Sequence, residues 1–237
     1  MAKETVNKHS EFEELVENPD ALADRLTHAD DFVKKNKSKL LGVFAAIAAL
    51  IVAAFLYYNH RTTQNQEAQE AMFQATYYFE ADSLNKALNG DGQYKGFLAI
   101  ADEYSGTDAG NLANFYAGVA LLKEGKFAEA QNHLEEFKSD DYLLQARAYS
   151  LVGDALLEQG KNKEAADQYM KAANHNANPF FSPQYIMKAG IAYEADNNFK
   201  AAAEAYDKIV TDYVTAAELN DAKKYKARAE ALAGGAN

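Results

Sequence analysis

The chain has 237 residues, 48% of them hydrophobic and 25% charged, which is enough for one or two packed domains and too apolar for wholesale disorder. Its net charge of -11 argues against nucleic-acid binding, which needs clustered Lys and Arg to neutralise phosphates and release counterions. The lack of Cys excludes disulfides, thiol catalysis, thiolate metal sites and lipid attachment through Cys, and it suits an oxidising compartment.

Residues 1–39 are polar. Within them Asn18 can cap a helix, Pro19 suits its first position, and Leu22, Leu26, Ala29 and Val33 recur on one face. This predicts an amphipathic helix, either a solvated lead-in to the next segment or a docking helix for a partner. From Leu40 to Tyr58 there are 19 residues without a charge. At about 1.5 Å per residue they reach roughly 28 Å, the thickness of a bilayer's hydrocarbon layer. The segment is apolar all round from Val43 to Leu56, unlike a soluble helix with one wet face. It is also longer, and set deeper in the chain, than the apolar core of a signal peptide. A single transmembrane helix contacting membrane lipid is expected over Leu40 to Tyr58. Lys34, Lys35, Lys37 and Lys39 crowd its front edge, with only His60 and Arg61 close behind. The basic side stays cytoplasmic, so the residues after the span belong on the opposite side, with Tyr57 and Tyr58 at the far interface.

Beyond the span the chain is rich in Ala, Leu, Tyr, Glu and Lys, with no alternating β pattern, which predicts an all-α fold. Helices are expected at about 64–88, 93–104, 111–124, 127–138, 143–159, 162–174, 182–196, 199–212 and 216–233. They are separated by breaks such as "NGDG", "EGK", "QGK" and "NPFFSP". The implied domain limits are 59–110 for a membrane-proximal helical pair, 111–212 for repeated hairpins and 213–237 for a capping helix and tail.

The hairpins repeat. Gly118, Gly153 and Gly190 each sit inside a first helix; the seventh residue on is Gly125, Gly160 and Asn197, the twelfth is Ala130, Ala165 and Ala202, and the sixteenth is Leu134, Tyr169 and Tyr206. Gly in the first helix allows close approach of the second, Gly or Asn at the turn can adopt the left-handed conformation, and Ala is the matching small residue. The tyrosines at these places, with Tyr149 and Tyr193, are expected to fill the layers between hairpins.

Catalytic chemistry has no visible seat. His9, His28, His60, His133 and His175 are scattered without metal-ligand spacing. Carboxylate pairs such as Glu135/Glu136 and Asp140/Asp141 fall at helix ends, and no phosphate loop or nucleophile motif occurs. The expectation is a non-enzymatic protein with no cofactor, no metal, no small-molecule substrate and no nucleic-acid partner.

The stretch "YSLVGDALLEQGKNKEAADQYMKAA" resembles the tetratricopeptide repeat family, and the resemblance covers 111–212 as three repeats. The first and third copies lack the family's Pro after the second helix, and an insertion lies around "NPFFSP". The whole layout, with stretches such as "KGFLAIADEYSGTDAGNLANFYAGVALLKEGKFAEA", is similar to the YfgM-like ancillary subunits of the bacterial Sec translocon. That resemblance implies an inner-membrane protein with a periplasmic repeat domain acting as an adaptor, with the Sec channel and a periplasmic chaperone or isomerase as partners. An adaptor in another cell-envelope or secretion assembly, or a self-associating structural protein, is the alternative. In the repeat family the first helices line a concave groove, which implies groove positions at Leu112, Phe115, Val119 and Leu122, then Arg147, Ser150, Asp154, Leu157 and Glu158, then Gln184, Met187, Ile191 and Glu194. Arg147, Asp154, Glu158 and Glu194 would fix register and partner choice. The first four either bind a partner or form core beneath residues 64–104. Phe180 and Phe181, between two prolines, either anchor a partner or tuck under a neighbouring hairpin.

Overall fold

The structure, a computed structural model, describes residues 19–234. The expected cap Asn18 and the side chain of Leu22 lie outside what it describes. Among the described residues there are ten helices and no strand: α1 Pro19–Glu80, α2 Leu84–Asn89, α3 Phe97–Glu103, α4 Asp108–Lys123, α5 Phe127–Glu136, α6 Tyr142–Glu158, α7 Asn162–His175, α8 Ser182–Ala195, α9 Phe199–Asp212 and α10 Leu219–Gly234. The chain divides into two compact units, Met1–His60 and Arg61–Asn237.

The first unit is helical from Pro19 onward and contains one stretch long and apolar enough to cross a membrane, with a mean hydropathy of 2.6 and none of it buried by protein. Leu41, Phe44, Leu50, Ile51 and Phe55 all lie exposed around it. Helix is the form that satisfies every backbone polar group in hydrocarbon, and a helix apolar on all sides has no wet face to turn to water. Before that stretch Leu26, Phe32 and Val33 are exposed, and Lys34 pairs with Asp30 one turn earlier.

The second unit is built of helical hairpins. The helix expected over 64–88 is instead two. The last turn of α1 ends where Asp82 takes a left-handed conformation (φ 54°), the Ser83 amide bonds back to the Tyr78 carbonyl at 2.8 Å, and α2 starts afresh. Asp tolerates that conformation better than most side chains, and the Asp82 carboxylate is held by Lys123 at 2.9 Å. The helix expected from 93 starts at Phe97, because Asp91 gathers the preceding loop. Its carboxylate accepts from the amides of Gln93 (2.9 Å) and Tyr94 (2.8 Å) and from the Tyr78 hydroxyl (2.6 Å). Ala68, Met72 and Ala75 of α1 share one buried cluster with Leu88, Phe97, Ile100 and Leu121.

Three hairpins come next, α4/α5, α6/α7 and α8/α9, with one geometry. Gly125, Gly160 and Asn197 all have positive φ, at 75°, 75° and 59°. The next amide, of Lys126, Lys161 or Asn198, closes the same back-bond to Leu121, Leu156 or Tyr193 at 2.9, 2.9 and 2.8 Å. Ala130, Ala165 and Ala202 are fully buried. A methyl group added at Gly118 would stand 2.5 Å from Leu134 Cγ, at Gly153 2.6 Å from Tyr169 Cε1, and at Gly190 2.6 Å from Tyr206 Cζ. Each first helix is thus pressed against a large side chain sixteen residues on, at a distance only Gly permits.

Polar ties join successive hairpins. Gln159 donates to Gln131 at 3.1 Å, Asn162 to the Ala195 carbonyl at 3.0 Å, and the Tyr193 hydroxyl to Asp167 at 3.2 Å. Helix α10 packs on α9; it brings Lys226 to Asp207 at 2.6 Å and Arg228 to Glu194.

Candidate partner-binding cleft

Between α6 and α8 lies an open cleft of about 520 Å³. Helical periodicity places Arg147, Leu151 and Asp154 on one face of α6, and Gln184 and Lys188 one turn apart on α8, so the two faces meet across it. Leu143, Leu144, Tyr185 and Phe181 supply apolar wall. A second cavity of about 400 Å³ adjoins the first, sharing Leu151 and Asp154, and is walled by Val119 and Leu122 of α4, Phe127, and Leu157 and Glu158 of α6.

Most charges in this surface are already engaged. Lys188 Nζ lies 2.8 and 3.1 Å from the two carboxylate oxygens of Asp154, and the Tyr169 hydroxyl donates to the same carboxylate at 2.7 Å. Burial, and then the Asp154 contact, push the Tyr169 hydroxyl well above its ordinary value, so it stays a donor at any physiological pH. Asp141 caps α6, accepting from the amides of Leu143 (2.8 Å) and Leu144 (3.0 Å). Lys123 is taken by Asp82. Burial also raises the Tyr185 hydroxyl, opposed by the charge of Arg147. The carboxylates of the cleft serve as caps and ties. Among the described residues no group of three or more His, Asp or Glu converges to hold a metal ion.

Of the residues expected in the groove, the structure brings Arg147, Ser150, Asp154 and Gln184 together in the first cleft, and Val119, Leu122, Leu157 and Glu158 in the second. Phe115 is not there: it is buried and packs its ring 5.1 Å from that of Phe137. Leu112 is half-buried between two core clusters, the first of which includes Ala68, Met72, Leu88, Phe97 and Tyr104. Met187 turns toward the α9 and α10 side, packing on the clusters of Ile209 and Tyr206. Glu194 is tied to Arg228, and Ile191 stays 45% exposed but lines neither cavity. The aromatic pair divides: Phe180 is 77% exposed, while Phe181 lines the cleft. Asn178 sets this turn by accepting from the amides of both, and the Ser182 hydroxyl ties it to the Ala173 carbonyl at 2.8 Å. Lys188, Tyr185 and Leu151 were not foreseen; the signal was available for Lys188, one turn from Gln184 on the same face. No protein-family model matches the chain, and no curated protein matches it.

Proposed function

We propose that this chain is a non-enzymatic, single-span adaptor of the bacterial inner membrane, with its amino-terminal side cytoplasmic and a periplasmic domain of tetratricopeptide repeats. In this reading it serves beside the Sec translocon, where the repeat domain meets emerging or chaperone proteins, as in the YfgM-like subunits it resembles. The lysines before the apolar stretch support the orientation. The thrice-repeated hairpin, with its Gly against a side chain sixteen residues on, supports the repeat assignment.

The observation that carries the adaptor role is the open, mixed apolar and polar cleft between α6 and α8, in which Asp141, Asp154 and Lys188 are spent on structure, Arg147 is left exposed, and the aromatic rim is held out by Asn178. Such a surface buries partner side chains, and the Lys188 ammonium that stands 3.5 Å from the Ser150 hydroxyl is held by the Asp154 carboxylate. Affinity purification of the full chain from its native membranes in mild detergent, with quantitative mass spectrometry, tests the role. Stoichiometric recovery of the Sec channel is expected. Recovery of a different envelope complex in its place would move the adaptor to that assembly, and recovery of the chain alone as an oligomer would make it a self-associating scaffold.

A further inference from the structure

Four residues of α6, Arg147, Leu151, Asp154 and Glu158, succeed one another at four, three and four positions and therefore form one stripe along the helix. The stripe is the common floor of both cavities, since Arg147 lines the first, Glu158 the second, and Leu151 and Asp154 both. Its middle is electrically quiet, because Asp154 is matched by Lys188 and bonded by Tyr169. The remaining charges of the two cavities are equally spent, Asp141 on the start of α6 and Lys123 on Asp82. Only the ends are unspent: among the described residues neither Arg147 nor Glu158 has an ion-pair partner, and both side chains are exposed. The floor is a dipole, positive at Arg147, apolar at Leu151 and beyond, and negative at Glu158.

Resting on the reading of this cleft as a protein-binding face, we infer that its occupant is an extended segment running through both cavities, with an acidic side chain against Arg147, an apolar one in the second cavity and a basic one against Glu158. Arg147 and Glu158 are separated by about 16 Å along the helix, at 1.5 Å per residue, which an extended chain spans in about five residues. Leu151 opens the apolar part about 6 Å beyond Arg147, about two residues of extended chain. The occupant is a passing strand, because the two cavities adjoin along one stripe, sharing Leu151 and Asp154, and present unspent charge of opposite sign at its two ends. Charge at the two ends then sets the register, while burial of the central side chain supplies the affinity.

The test uses the detergent-solubilised full chain and three fluorescent peptides of equal length. Each has a central Leu flanked at these spacings by Asp and Lys, by two Asp or by two Lys, with binding read as anisotropy. The mixed-charge peptide binds the native chain about tenfold more tightly than either like-charged one, a difference of about 1.4 kcal/mol that comes from replacing an attraction by a repulsion at one end. Arg147→Glu moves the preference to the two-Lys peptide, and Glu158→Lys moves it to the two-Asp peptide; both positions are exposed, so the fold is undisturbed. Equal affinity for all three peptides overturns the charge register while leaving the peptide-binding cleft in place. Failure of all three to bind overturns both.

Discussion

Replacing Gly153 with Ala probes the packing that repeats through the domain. A β-carbon there would lie 2.6, 2.8 and 3.0 Å from Tyr169 Cε1, Cδ1 and Cζ. The ring cannot slide away, because Tyr169 is 1% exposed and its hydroxyl is held by Asp154 at 2.7 Å. Helix propensity favours Ala over Gly by about 1 kcal/mol, whereas overpacking a closed core costs about 1–3 kcal/mol. With the ring pinned at both ends the clash wins, and a net loss of about 1–2 kcal/mol is expected. For a chain of this size that lowers the thermal midpoint by roughly 3–6 °C, measured by circular dichroism on the full chain in detergent. The same substitution in a Tyr169→Leu background, where the ring edge is gone, becomes neutral or stabilising by up to about 1 kcal/mol. A rise in midpoint for Gly153→Ala in the native background, or an identical loss in both, would refute the close-approach explanation of the repeat.

The aromatic rim gives a second expectation. Phe180→Ala with Phe181→Ala changes stability by about 1 kcal/mol or less, since the first ring is 77% exposed and the second 43%, yet weakens partner recovery from membranes; a collapse of the thermal midpoint would mean the rings are core. Asp91 gives a pH dependence. Hydrogen bonds from the Tyr78 hydroxyl and then from the Tyr94 and Gln93 amides lower its carboxyl from 3.8 to about 2 in the folded chain. A depressed folded value means the stabilisation is complete above the ordinary value and is lost as pH falls from there through about 2. The thermal midpoint of the native chain therefore falls more steeply over that interval than that of Asp91→Asn, and parallel curves would contradict the assignment.

The repeated hairpin was legible in the sequence because its parts are local. Gly118, Gly153 and Gly190 meet Leu134, Tyr169 and Tyr206 at one fixed spacing, and a Gly or Asn marks each turn. The break after Glu80 was not legible: Asp82 takes the left-handed turn that Gly takes elsewhere, and nothing in "EADSL" announces it. The cleft was legible where it tracks the helical period of α6, at Arg147, Ser150 and Asp154. Carrying the same offsets to α8 failed beyond Gln184, because Met187 and Glu194 answer to α9 and α10, which pack on that side. Lys188 and Tyr185 lean to α6 instead, a choice made by the neighbouring helix rather than by their own sequence.

Binding of partners in the cleft between α6 and α8 is tested by a photoactivatable side chain placed at Gln184, in the cleft, and separately at Glu164, exposed on α7 and lining neither cavity, in the full chain in its native membranes. Cross-links to protein partners are expected at Gln184 in clear excess over Glu164, and Arg147→Glu should reduce them. Equal yields at the two positions, or none at Gln184, would contradict the account.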